Sequence, residues 1–263
     1  GMTAVDYRES GAPTATLGPV SQASPSNTNS NDAWPRALAG KFLVFEGPDG
    51  SGKSTQMKRL TEACQAVGVQ VTTVREPGGT SVGEQIRSVL LDPSSEMTLH
   101  CEMLLYMASR AQLVEETVRP ALASGHLVIA DRFLTSTFAY QGAGGGLLAE
   151  DIKAVGRVAT LGLSPDLVLI YYVDVDTATA RTRGVPATTG KKKSATAEAL
   201  RGVTLFDDRI ERRSDEFRRR VHESYLAQAK ADPAHHELLD AKGNAEQVWD
   251  LTARALCARF AKP

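Results

Sequence analysis

The stretch FLVFEGPDGSGKSTQMKRL, Phe42 to Leu60, decides how the chain is read. Phe42 to Phe45 is an uninterrupted apolar run, the composition of a strand buried on both faces of a parallel sheet. From Lys53 the period turns helical: Met57 and Leu60 share a face that Ala63 and Cys64 continue. Between the two, Gly47-Pro-Asp-Gly-Ser-Gly-Lys-Ser54 fits the P-loop pattern G-x-x-x-x-G-K-[ST]. The glycines allow positive φ, so consecutive N–H groups converge at the positive end of the next helix, where an anion is stabilised. The bland alternative is a glycine-rich turn that happens to precede a lysine; the buried strand before it and the helix after it favour phosphate binding. The stretch predicts a cradle for a nucleoside triphosphate made of Gly47, Asp49, Gly50, Ser51, Gly52, Lys53, Ser54 and Thr55. Lys53 would reach the outer phosphates and Ser54 would offer its hydroxyl to Mg²⁺.

Bulk composition narrows the classes. The 263 residues carry 30 Lys+Arg against 31 Asp+Glu, a formal charge of −1, which argues against nucleic-acid binding through a basic excess. Cys64, Cys101 and Cys257 are far apart, so neither a disulfide framework nor a zinc site is expected, and a reducing, cytoplasmic setting is. No apolar run approaches the roughly 18 residues of a membrane span. Residues 1–39 are rich in Ser, Thr, Ala, Pro, Gly and Asn, and read as a disordered leader in which Gly1 before Met2 looks like an expression scar. A folded domain, residues 40–263, would follow.

Further along, strands are expected after the turn at Val67-Gly68 up to Val74, at Leu127–Ala130, at Asp166–Val173 and at Glu237–Leu239. Helices are expected at 82–91, 98–123, 134–141 (before a loop from Gly142 to Gly146), 149–161, after a cap at Asp176, at 209–230 and at 244–260. Alternating strands and helices imply βαβ units: an α/β, three-layer α/β/α domain on a mostly parallel five-stranded sheet, with ligands at the carboxyl ends of the strands.

Two more strand ends carry charge. The second strand ends in Arg75-Glu-Pro-Gly-Gly-Thr80 and the third in Asp131-Arg132-Phe133. An acid after a buried strand in a P-loop fold commonly holds Mg²⁺, so Asp131 joins Ser54 as a candidate metal ligand; a helix cap is its alternative reading. Arg75 and Arg132, on neighbouring strand ends beside a triphosphate cradle, suit a second phosphate because the planar guanidinium meets two oxygens at once.

Taken together, GPDGSGKST, REPGGT, Tyr106-Met-Ala-Ser-Arg110 and DRFLTSTFAYQG (Asp131–Gly142) resemble the thymidylate kinases of bacterial type. The resemblance runs from about residue 40 to the C-terminus and omits the leader and an insertion near 184–207. It implies a P-loop nucleoside monophosphate kinase fold, transfer of phosphate from ATP to dTMP with Mg²⁺ on the way to dTTP, and a homodimer. Tyr106 and Arg110 are four apart, hence on one helix face; the resemblance makes the ring stack on thymine and the guanidinium bond a base carbonyl, where the residues alone would suggest a core tyrosine. It also places Thr137, Tyr140 and Gln141 around base and sugar. A carboxylate at Asp49, beside bound phosphates, is electrostatically costly; in similar kinases such an acid holds the acceptor's 3′-hydroxyl and positions the arginine that corresponds to Arg75.

The segment from Arg181 to about residue 211 is basic and rich in Gly, Ser and Thr, and reads as a mobile lid that excludes water. Position 50 is glycine, so the P-loop supplies no arginine. In the resembling family that departure goes with a catalytic arginine in the lid, for which Arg183 and Arg209 are the candidates. Arg181 would pack on adenine, Glu211 would lie near the acceptor sugar, Lys191–Lys193 would form a solvated tip, and Asp240–Gly243 would rest against adenine. Lys53 and Arg132 complete the expected catalytic set. The competing expectations are a kinase for another nucleoside monophosphate and a nucleotide-dependent switch ATPase.

Overall fold

The computed structural model describes residues 34–174, 177–178, 181 and 214–261. Strands β1 (Phe42–Glu46), β2 (Val71–Arg75), β3 (Leu127–Asp131), β4 (Leu167–Tyr172) and β5 (His236–Asp240) form one sheet in the order β2-β3-β1-β4-β5. All four neighbouring pairs are parallel. The expected "mostly parallel" sheet is thus wholly parallel among the described residues.

The helices are α1 (Lys53–Ala66), α2 (Ser81–Leu91), α3 (Leu99–Leu113), α4 (Arg119–Ala123), α5 (Leu134–Thr137), α6 (Ala149–Thr160), α7 (Asp215–Ala231) and α8 (Ala245–Phe260). Alternation along the strands builds the layers. Leu43 and Phe45 of β1, with Leu127, Ile129, Leu167 and Leu169, pack against Leu60 and Cys64 of α1 and Val248 and Leu256 of α8. Phe42 and Val44, with Val128, Ala130, Val168 and Ile170, pack on the other face against Leu113 of α3 and Val221 and Tyr225 of α7. A strand covered on both faces has no polar side to show, which is why β1 reads as a continuous apolar run.

Several boundaries differ from expectation for identifiable reasons. The helix expected over 98–123 is split by a π-turn at Val114–Val118 before α4. Pro120 has no N–H for the α-helical ladder, and the change of register lets it stand in the first turn of α4. The loop expected from Gly142 is a π-helical segment over Phe138–Gly144. Its glycines are there for close approach: a Cβ on Gly144 would meet the ring of Phe217 at 2.5 Å. The helix expected from residue 209 begins at Asp215, where the Ser214 hydroxyl accepts from the Phe217 N–H. Asp176 lies outside the described residues; the carboxylate seen capping there is Asp174, which accepts from Thr177 N at 2.8 Å.

The boundary expected at residue 39 also moves. Trp34–Leu38 forms a 3₁₀ turn that buries Trp34 and Leu38 in the α1–α8 layer, with Trp34 packed 6.3 Å from Trp249. Each buried side chain of this size is worth about 1.5–3 kcal/mol, enough to draw this short segment into the core.

Candidate active site

The glycine turn between β1 and α1 has φ of 131° at Gly47, 78° at Gly50 and 90° at Gly52. A Cβ on Gly47 would also strike the Tyr171 carbonyl of β4. Gly52 is the N-cap of α1 and contributes no side chain, so nothing from the cap competes with an anion for the first helical N–H groups. Lys53 is buried and lies across the turn, donating from Nζ to the carbonyls of Gly47 at 2.9 Å and Pro48 at 3.0 Å. Burial, and then the charge of Arg132, pushes the Lys53 ammonium below its ordinary pKa.

Asp49 is held between two cations. Its Oδ1 accepts from Arg132 Nη2 at 2.7 Å and stands 3.9 Å from Lys53 Nζ. Arg132 reaches it because its backbone is left-handed, with φ 70°, which turns the side chain back over the sheet edge. The Arg132 guanidinium also donates to Ser136 and Tyr225 and lies 5.3 Å over the Tyr140 ring. Burial opposes the Asp49 carboxylate, yet Arg132 and Lys53 beside it hold its pKa below the usual carboxylate value.

Arg75 ends β2 in register with Asp131. It is 36% exposed and pairs with Glu84 of α2 at 3.0 Å. Arg75, Asp131 and Ser54 line one cleft of ≈ 600 Å³ that runs between α1 and β2. Asp131 Oδ1 in this cleft and Ser51 Oγ in the glycine turn are buried without a hydrogen-bond partner among the described residues. Thr55, Gly50, Ser51 and Gly52 line a second cleft, of ≈ 250 Å³, with Arg181, Ala241 and Gly243. There Arg181 donates to the carbonyls of Ala241, Lys242 and Gly243 at 2.8, 2.8 and 3.1 Å.

A wall of buried polar side chains joins α3 to the segments that follow β2 and β3. Arg110 of α3, 1% exposed, forks onto Glu76, with Nε 2.8 Å from Oε2, and donates from Nη1 to Thr137 Oγ1 at 3.1 Å. Gln141, 2% exposed, donates from Nε2 to Glu102 Oε1 at 2.8 Å. Tyr106 is half-buried on the same face of α3, and not a core tyrosine.

Five residues that sequence reasoning passed over hold this wall in place. Glu46, fully buried at the end of β1, accepts from Phe133 N, Ser136 N, Ser136 Oγ and Tyr225 Oη at 2.9, 3.1, 2.6 and 3.0 Å. Burial pushes its carboxyl up in pKa, against the charge of Arg132 and these hydrogen bonds. Glu76, likewise raised by burial, holds Arg110, and Glu102 holds Gln141. Arg87 of α2 donates to Pro77 O at 2.8 Å, and Tyr225 of α7 ties that helix to the end of β1. The available signals were positional: Glu46 and Glu76 sit at strand ends, and Glu102 stands one helical turn before Tyr106. Arg183, Arg209, Glu211, Lys191–Lys193 and the rest of the expected lid after Arg181 lie outside the described residues.

A family model described as thymidylate kinase matches residues 45–251. The thymidylate kinase of Pelotomaculum thermopropionicum is 44% identical over 205 residues, which span 78% of this chain and 87% of that protein. That of Desulforudis audaxviator is 42% identical over 224 residues, 84% of this chain and 90% of that one. Among solved structures, thymidylate kinase from Ehrlichia chaffeensis shares the fold with a TM-score of 0.63 at 25% identity, covering 82% of this chain and 98% of that one.

Proposed function

The chain belongs to the thymidylate kinase family, and from that premise we propose that it transfers the γ-phosphoryl group of ATP to the 5′-phosphate of dTMP, giving dTDP for dTTP synthesis. The observation that carries this reading is the Asp49–Arg132 ion pair at 2.7 Å, which links the P-loop to the end of β3 so that donor and acceptor share one rim. Phosphoryl transfer is mostly positioning and charge neutralisation, and needs cations between two anions held in line. Lys53 and the start of α1 serve the donor; Arg75 and Arg132 serve the acceptor phosphate. Asp49 orients Arg132 and stands where an acceptor 3′-hydroxyl can be bound. Tyr106 stacks on the base, Arg110, Thr137 and Gln141 face its polar edge, and Tyr140 borders the sugar. Adenine lies in the cleft between Gly50–Gly52 and Ala241–Gly243, against Arg181. Arg183 and Arg209 are the candidates for an arginine acting on the transferred group, and Glu211 for a contact to the acceptor sugar; all three lie outside the described residues.

Mg²⁺ fits this donor set. Asp131 brings a buried carboxylate oxygen without a partner, and Ser54 a hydroxyl, into one cleft. No cluster of three or more His, Cys, Asp or Glu occurs among the described residues, and Mg²⁺ is usually held by one or two protein groups plus phosphates and water. When bound it would neutralise charge on the phosphate oxygens.

The protein is proposed to act as a cytoplasmic homodimer. No helix among the described residues is long and apolar enough to cross a membrane. Val82 and Val89 of α2, Leu104 of α3 and Val158 of α6 are exposed apolar side chains on helices that pack side by side, a surface suited to a second copy. Light scattering tests this; a monomer at micromolar concentration would refute it.

Steady-state assays with ATP and each monophosphate test the activity. Preference for dTMP over dUMP, dCMP and UMP is expected. Preference for an acceptor lacking the methyl or carrying a 2′-hydroxyl would reassign the substrate, and ATP turnover indifferent to every monophosphate would favour a nucleotide switch.

A further inference from the structure

We propose that Glu102 is a positioning residue that fixes the hydrogen-bond polarity of the base pocket and so rejects cytosine in favour of thymine. The inference rests on the reading that the acceptor base lies against Tyr106, Arg110 and Gln141.

Glu102 and Gln141 come from distant segments, α3 and the π-helical stretch after α5, and both are almost fully buried. A carboxylate oxygen can only accept, so Glu102 Oε1 binds the NH₂ end of Gln141 and cannot bind its carbonyl. A side-chain amide is otherwise free to present either end. Here the NH₂ end is held toward α3, which leaves Oε1, an acceptor, as the end offered to a base. Glu102 lies one helical turn before Tyr106 and two before Arg110, on the same face of α3. Arg110 can only donate. Its Nη1 bonds Thr137, four residues before Gln141, so the proposed pocket would present a donor from Arg110 and an acceptor from Gln141.

Thymine matches this pair, with O4 accepting and N3–H donating. Cytosine inverts it: N4 carries hydrogens that would meet the guanidinium, and N3 carries a lone pair that would meet Gln141 Oε1. Both mismatches would be buried, where an unpaired polar group is rejected most strongly. Without a fixed amide, Gln141 could turn its NH₂ toward N3 and soften one of the two mismatches.

The test compares kcat/KM for dTMP and dCMP in the wild type, Glu102→Gln, Gln141→Glu and the double variant, with KM for ATP as the control. Glu102→Gln lets the partner amide rotate, and the dTMP/dCMP ratio should fall about tenfold, chiefly through a higher KM for dTMP. Gln141→Glu sets two carboxylates together, which must share one proton; its KM for dTMP should climb with pH while that of the wild type does not. In the double variant the introduced amide donates to the introduced carboxylate, whose second oxygen still accepts from N3–H, so the ratio should recover. Dimension by dimension these readouts separate positioning from mere stability, which would shift neither a base ratio nor a pH profile. A wild-type ratio in Glu102→Gln, or a flat pH profile in Gln141→Glu should the first variant not fold, overturns the inference alone. Failure of the wild-type protein to phosphorylate dTMP overturns the functional reading and this inference with it.

Discussion

The two sides of the site are built from different materials. The donor side is backbone: glycines at positive φ, the uncapped start of α1, and a lysine folded onto the carbonyls of Gly47 and Pro48. The proposed acceptor side is side chains, with Glu46, Glu76 and Glu102 each buried and each holding a buried polar partner. A phosphate is symmetric and highly charged, and converging N–H groups suffice for it. A base edge must be read by direction, and direction requires side chains that are themselves held.

The contrast predicts that changes in the buried side-chain wall cost stability, whereas changes to the phosphate-facing cations Lys53 and Arg75 cost activity far more than stability. The largest effect should come from Arg110→Ala, which strands the buried Glu76 carboxylate and should destabilise the fold by about 3–5 kcal/mol, read as a drop in melting temperature on the order of 10 °C. An unshifted melt would mean that the acceptor wall is not preorganised. Next, Lys53→Ala and Arg75→Ala should each lose about 2–4 kcal/mol of transition-state stabilisation. The first should act through the ATP parameters and the second through those of dTMP; matching losses in both would erase the two-site division. Melting should barely change for Arg75→Ala, since its pair with Glu84 is partly exposed and surface pairs are worth about 0–1 kcal/mol. Tyr225→Phe takes one donor from Glu46 and should cost about 1–3 kcal/mol, measured by denaturant titration.

A smaller effect depends on pH. Burial raises the Glu46 pKa above its ordinary 4.5. Between that value and the raised one the folded state holds the proton that the unfolded chain has released, so the Glu46 contribution to stability falls as pH rises. The stability advantage of wild type over Glu46→Gln should therefore narrow as pH climbs through that window. Denaturant melts at a series of pH values would show it, and a constant gap would contradict the assigned direction.

Legibility in the sequence follows the same division. Gly47 to Ser54 could be read because an eight-residue pattern fixes a local backbone, and Arg75, Asp131 and Arg132 because they stand at the ends of expected strands. Glu46 and Glu76 also stand at strand ends and Glu102 one helical turn before Tyr106, but a lone acid in a sequence says nothing about burial or about its partner. The pairing of Asp49 with Arg132 could not be read either, since it joins residues 83 positions apart at a non-glycine residue with a left-handed backbone. Trp34 and Leu38 were hidden within a segment whose average composition is polar.

The sequence by itself determined the α/β alternation, the P-loop and the family, because periodicity and short motifs encode interactions between near neighbours. Only the tertiary structure decided which buried polar groups meet. Glu76 finds Arg110, Glu102 finds Gln141 and Glu46 finds Tyr225 across 34, 39 and 179 residues of chain. Those partners are selected by the low-dielectric interior, where a buried charge is tolerated only beside a group that completes its hydrogen bonds.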